Sequence, residues 1–346
     1  MIEILQELCA LRGVAGWEDA VRDYIREKAS LLADDIEQDA IGNLLVFKKG
    51  AGRRSGPVML CTHIDESGFK VQQIRDDGTL GIAPVGEITP LCLPGSRVQI
   101  GAAGIPGVLA VDQMVRSRPD RSAVPVGRLL LDLGVSEKGA AEKLVAIGDA
   151  VTLESGWHTL GNRKIKSRAL ESRIGCAVLL SLLAEPLPYD TWFAFTTCDA
   201  IKIRGSVGRG SSVAVAAIRP RSILFVECRP AYDFTAVEPA ERNLTLGGGC
   251  AVLLAEKGSA YTRGLRKLVT ARAQELDIRW QYPTTFGQVL PSSRTAVPVA
   301  GGAASLCFAA PLRYADTANA VTDTDDIESL RDMSRLFISE TEHYSD

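Results

Sequence analysis

Histidine is scarce in this chain: 346 residues contain three, His63, His158 and His343. Most His-rich metal-ligand sets are therefore excluded. Eight cysteines are present but none forms a CxxC pair, so a zinc ribbon has no support, and a disulfide framework is not expected in a chain of this size. Most of them sit inside apolar segments, as buried free thiols do, and a reducing cytoplasm is the expected compartment. A net basic balance is lacking too. The net charge is −3, and no Lys/Arg run carries interleaved aromatics, so no nucleic-acid partner is expected. The short cluster Arg116, Arg118 and Arg121 reads as solvated surface. No apolar stretch reaches the length of a membrane span, and the start, Met1-Ile2-Glu3, has no basic n-region, so neither a membrane role nor a signal peptide is expected. There is no GxSxG, hence no serine-hydrolase elbow. Gly247-Gly248-Gly249 lacks a following Lys-Ser/Thr and reads as a turn, not a phosphate loop.

What is present is an ordinary globular balance, 46% apolar and 23% charged, over a length that suggests two domains. Ile2–Leu11 and about Trp17–Leu32 carry helical periodicity, the second with Val21, Tyr24, Ile25 and Leu32 on one face. A turn at Asp39–Asn43 leads into Leu44–Phe47, and Val58–Thr62 reads as a central strand. Between about 69 and 160 the texture changes to short strands (Phe69–Ile74, Arg97–Ile100, Gly107–Val111, Arg128–Leu133, Ala150–Leu153), with one short helix near Glu137–Lys143. That pattern predicts a small β-rich domain, 69–160, inserted into an α/β domain formed by 1–68 and 161–346. In the second half, Arg173–Ala184, Thr262–Leu276 and Asp326–Ser339 read as helices, the last with Asp325 and Glu328 as a capping pair. Trp192–Thr197, Ile223–Glu227, Ala251–Leu254 and Ala304–Phe308 read as strands, and small-residue-rich Ser206–Ala217 as a loop and strand.

Chemistry concentrates where strands end. Val58–Cys61 is an apolar run that delivers His63, Asp65 and Glu66 just past its end, the place where open α/β sheets bind ligands. A histidine followed two residues later by a carboxylate supplies one metal ligand and one orienting partner. The bland alternative is a strand that simply ends in polar turn residues, with Asp65 and Glu66 remnants of an abandoned site. Against it, Glu171 opens a helix, and Asp199, Glu227 and Asp316 follow or end other predicted strands. His158 and His343 read as surface residues.

With this constellation the chain resembles the co-catalytic metallo-aminopeptidases, the family of glutamyl, deblocking and tetrahedral aminopeptidases. Gly13-Val14-Ala15-Gly16-Trp17-Glu18 to Arg22 is similar to its GxSGxExxVR opening, Asp39 to Leu44 to DxxGNL, Thr62 to Phe69 to AHxDExGF, and Ala169 to Gly175 to xxDDRxG. The resemblance implies a mixed-sheet α/β core, an inserted β-domain used in oligomerisation, and two metal ions that activate water for removing N-terminal residues from peptides.

Carried over position by position, one metal falls to His63, Glu171 and Glu227, and the other to Glu171, Ala200 and Asp316. The general base falls to Asp199, with Asp65 as the carboxylate that orients His63. The departures are at the chemistry. Alanine donates nothing, Asp316 stands for a histidine, Asp199 for a glutamate, and Glu171 and Glu227 for aspartates; the family's GTD segment is lost near Thr284-Thr285-Phe286. An Asp-to-Glu exchange moves a carboxylate by about 1.5 Å, one carbon–carbon bond, against zinc–oxygen bonds near 2.0–2.2 Å. Two expectations follow. One is a homologue whose dinuclear site is largely lost, with an assembly or peptide-binding role, holding at most one weakly bound zinc or cobalt ion, or none. The alternative is a divergent aminopeptidase working with one metal or an altered pair.

Overall fold

The computed structural model describes residues 1–52, 56–111, 125–200, 209–238, 242–256, 259–283 and 302–344. Seven α-helices are present among them: α1 Ile2–Ala10, α2 Asp19–Ser30, α3 Lys138–Ala141, α4 Leu170–Leu183, α5 Arg209–Ile218, α6 Arg263–Glu275 and α7 Thr324–Glu340. The cluster Arg116, Arg118 and Arg121 and the segment Thr284–Phe286 lie outside the described residues, as does the start of Ser206–Ala217. Among the described residues no helix is long and apolar enough to cross a membrane.

An eight-stranded mixed sheet forms the core, in the order Asp35–Gln38, Leu44–Lys48, Thr191–Thr196, Val58–His63, Ser222–Pro230, Ala304–Leu312, Cys250–Val252 and Trp280–Gln281. The four central strands, from Thr191–Thr196 to Ala304–Leu312, are mutually parallel, and Leu44–Lys48 and Cys250–Val252 flank them antiparallel. Parallel strands covered on both faces read as continuous apolar runs, and every residue of Val58–His63 is buried. The parallel arrangement matters because it brings the carboxyl ends of neighbouring strands, with whatever polar residues follow them, to one edge.

Residues 68–153 contain a separate closed barrel: Gly68–Ile74, Leu80–Val85, Leu129–Asp132, Ile105–Val111, Arg97–Ile100 and Ala150–Leu153, which pairs back onto the first. It has its own core, built on Phe69, Val71, Leu80, Val98, Leu109, Leu131 and Val151. Closure removes the exposed strand edges that a small open sheet would carry. Leu80–Val85 was not among the expected strands. Gly81 and Pro84 interrupt its pattern, and both residues depress strand signals.

Two other local expectations give way to tertiary contacts. The segment expected as a loop and strand forms α5 from Arg209. Its small residues serve close approach: a Cβ at Gly210 would stand 2.3 Å from the Thr197 carbonyl and 2.6 Å from Asn43 Oδ1. The cap of α7 is Asp323, whose side chain accepts from the Asp325 amide. Asp325 lies inside the helix and pairs instead with Arg163 and Arg279, 2.8 Å from each.

Candidate active site

The parallel register sets the site. His63 pairs with Thr196 across neighbouring strands, so Asp65 and the Asp199–Ala200 pair leave the sheet edge side by side. Glu171 stands in the first turn of α4, whose preceding residue Ala169 adopts φ 58°. Glu227 lies within Ser222–Pro230, and Asp316 follows Ala304–Leu312 with φ 59°. One cavity gathers His63, Asp65, Glu171, Ala200, Glu227 and Asp316 in its wall, and the barrel side adds Glu87, Ile88 and Leu153. Asp199 is fully buried and does not line it. His158 and His343 are exposed and elsewhere.

His63 is held by its Nδ1, 3.0 Å from the Asp65 carbonyl oxygen and 3.4 Å from Asp65 Oδ1. Its Nε2 stands 3.7 Å from Glu227 Oε2. Burial pulls the imidazole's pKa down, but the Asp65, Glu227 and Glu171 carboxylates outweigh it and push it up to about 9. Asp65 in turn accepts from the backbone amides of Asp199 (3.1 Å) and Ala200 (2.7 Å). Asp199 turns its carboxylate away from the cavity: Oδ1 accepts from the Gly210 amide (2.9 Å), and Oδ2 from Thr196 Oγ1 (2.7 Å) and the Ser211 amide (3.1 Å). Burial, reinforced by Asp65, pushes the Asp199 carboxyl up to about 7.

Glu66 is no orphan. Its Oε1 accepts from the Gly13 amide at 2.8 Å, and its Oε2 stands 2.5 Å from Arg168 Nη1. Arg173, fully buried, reaches Glu66 at 3.4 Å and donates to the carbonyls of Leu8 and Ile64. Arg168, which the sequence reading did not single out, also donates to the Leu11 carbonyl at 2.6 Å and lines the cavity. Only its place two residues before the opening of a helix near Glu171 could have drawn attention to it. The Asp39–Asn43 turn has a similar bracing role: Asn43 donates to the Gly210 carbonyl and accepts from the Thr197 amide, both at 2.9 Å.

Nitrogen and oxygen donors of the right kind for a metal ion share the cavity wall. Yet among the described residues no group of three or more His, Cys, Asp or Glu side chains is placed to hold one ion. As arranged here the residues do not fit a metal centre.

A parallel-centred α/β sheet with an inserted barrel and a carboxylate-rich cavity at its carboxyl edge is the scaffold of an aminopeptidase-type hydrolase. The chain belongs to the M42 glutamyl aminopeptidase family, whose model matches residues 42–333. It is 25% identical to the glutamyl aminopeptidase of Lactococcus lactis subsp. cremoris over 353 residues, covering 98% of this chain and 96% of that one. An aminopeptidase structure from the archaeon Desulfurococcus kamchatkensis superposes with a TM-score of 0.91 at 25% identity, covering 99% of this chain and 95% of the other. The TET1 peptidase of Pyrococcus horikoshii, described as assembling into a tetrahedron or a large octahedral shell, gives 0.83 at 23% identity, covering 97% and 98%.

Proposed function

We propose that this chain is an aminopeptidase homologue whose dinuclear metal site is largely lost, with little or no turnover, and that it acts through assembly or peptide binding in the cytoplasm. The observation that carries the reading is Ala200. It lines the cavity at the position where the family resemblance calls for a carboxylate ligand, and a methyl group donates nothing. The carboxylate at the position of the general base is turned into the protein, out of reach of a water in the cavity. The eight cysteines are all free thiols, which suits a reducing compartment.

A second reading has one observation in its favour: His63, Glu171, Glu227 and Asp316 still share a single cavity wall. A modest shift of these side chains would serve one zinc or cobalt ion in a divergent aminopeptidase. Metal content measured together with turnover separates the two. Elemental analysis after loading with zinc or cobalt and desalting is expected to give at most one weakly held ion per chain, together with negligible hydrolysis of aminoacyl chromogenic substrates. Two tightly held ions, or robust turnover abolished by a chelator, would overturn the first reading.

The barrel is proposed to mediate contact between copies of the chain, making a dimer or a dimer-based assembly. Support comes from its closed, independent core, which gives a stable platform outside the main sheet, and from the assembly described for the Pyrococcus horikoshii relative. Light scattering at micromolar concentration is expected to show at least a dimer, and replacing residues 68–153 by a short linker is expected to reduce the mass to that of a monomer. A monomeric full chain would refute this, as would an unchanged mass after the replacement.

A further inference from the structure

The hydrogen bonds around the cavity form a chain that links helix α5 to His63, and Asp199 is its central member. We propose that Asp199 is a positioning residue. Its carboxylate anchors the first turn of α5, and its backbone amide, with that of Ala200, holds Asp65 against His63. The inference stands apart from the question of residual activity, because it concerns how the cavity wall is held.

The geometry is specific at each step. The first-turn amides of a helix have no partner inside the helix and favour an anion. Those of Gly210 and Ser211 point at Asp199 from 2.9 and 3.1 Å. A residue remote in sequence thus supplies the capping acceptor that neighbouring Ser, Thr, Asp or Asn residues ordinarily provide. Thr196 Oγ1 completes the carboxylate at 2.7 Å and also lies 3.1 Å from the Thr62 carbonyl, tying the anchor to the strand that ends in His63. With the side chain fixed, the peptide after it is fixed as well. Cys198, at φ 56°, makes the sharp turn that presents two successive amides to the two oxygens of Asp65. Asp65 Oδ1 then faces His63 Nδ1. A carboxylate one methylene longer at position 199 would have to fold back or leave the α5 amides, so an aspartate here suits anchoring.

The experiment uses the full chain and exploits its three histidines. With nitrogen-15 in histidine only, His158 and His343 give spectra of exposed rings, leaving one set of signals for His63. Hydrogen exchange read on peptides spanning 196–200 and 209–218 reports the anchored amides. In the wild type both peptides are expected to be strongly protected; exchange at loop rates would overturn the proposal without any variant. Asp199→Ala is expected to cost roughly tenfold in protection at the start of α5, the scale of a lost helix cap. It is also expected to shift or broaden the His63 ring signals. Asp199→Asn, which keeps one acceptor oxygen, should restore both in part. If Asp199→Ala deprotects α5 but leaves the His63 signals unchanged, the link to the cavity is refuted. If it changes turnover while leaving α5 protected, Asp199 faces the cavity and the inference fails.

Discussion

Replacing four side chains together, Ala200→Glu, Asp316→His, Glu171→Asp and Glu227→Asp, is expected to raise bound zinc to two ions per chain and to increase aminopeptidase turnover by at least on the order of 10²-fold. Ala200 lies on the cavity wall with Glu171, Glu227 and Asp316, so each new donor enters the same space. The two shortened arms draw their oxygens back by about 1.5 Å each, a distance that decides whether a zinc–oxygen bond near 2.0–2.2 Å can form. The single replacements should do almost nothing, since groups that act as a unit contribute in a strongly non-additive way. Zinc stoichiometry and hydrolysis of aminoacyl substrates, compared across wild type, singles and the fourfold variant, check this. Adding Asp199→Glu serves as a separate arm. It offers a base closer to the cavity, but it also withdraws the acceptor that holds α5, so its expected signature is lower thermal stability with either outcome for rate. Two ions bound by the fourfold variant with no turnover in either arm would show that the donor set was not what limited activity.

The second large effect lies outside the donor set. Glu66→Ala is expected to destabilise the chain by about 3–5 kcal/mol, because it leaves two buried guanidinium groups without their carboxylate. Arg168 and Arg173 both point at Glu66, and their side chains are 7% and 0% exposed. The Gly13 amide would lose its acceptor too. Glu66→Gln, which keeps an acceptor but not the charge, should cost less. Pairing Glu66→Ala with Arg168→Met should recover part of the loss, since contacting partners are not additive. The midpoint of the first denaturant transition measures all three. A shift below about 1 kcal/mol for Glu66→Ala, the scale of an exposed pair, would show that these arginines find water or other acceptors.

The two effects differ in what they test. The donors around Ala200 concern the chemistry of the cavity, whereas Glu66 concerns the frame. Arg173 and Arg168 donate to the carbonyls of Leu8 and Leu11, at and just beyond α1, and Glu66 follows the central strand. This ion network therefore joins α1, α4 and the strand that carries His63. A chain can lose the first set of contacts and keep the second, which is the pattern proposed here.

Much of this was legible in the sequence because it depends on local burial. Val58–Cys61 is an unbroken apolar run because a central parallel strand is covered on both faces, and the short alternating strands after Gly68 marked the change to a barrel. His63 ends its strand, Glu171 stands in the first turn of its helix and Asp316 follows its strand as expected, whereas Glu227 lies inside a strand that continues to Pro230; with Asp65 they line one cavity wall. Other features were decided only by tertiary structure. Nothing in Arg209–Ile218 signals its cap, because the acceptor is Asp199, and nothing next to Asp199 reveals that its carboxylate serves α5 and not the cavity. Glu66 reads as a spare carboxylate until Arg168, 102 residues later, closes on it. Periodicity records which face of a segment is dry. Which acceptor satisfies a given buried donor is set by groups far apart in the chain, and it is settled only when the packed strands bring them within hydrogen-bonding reach.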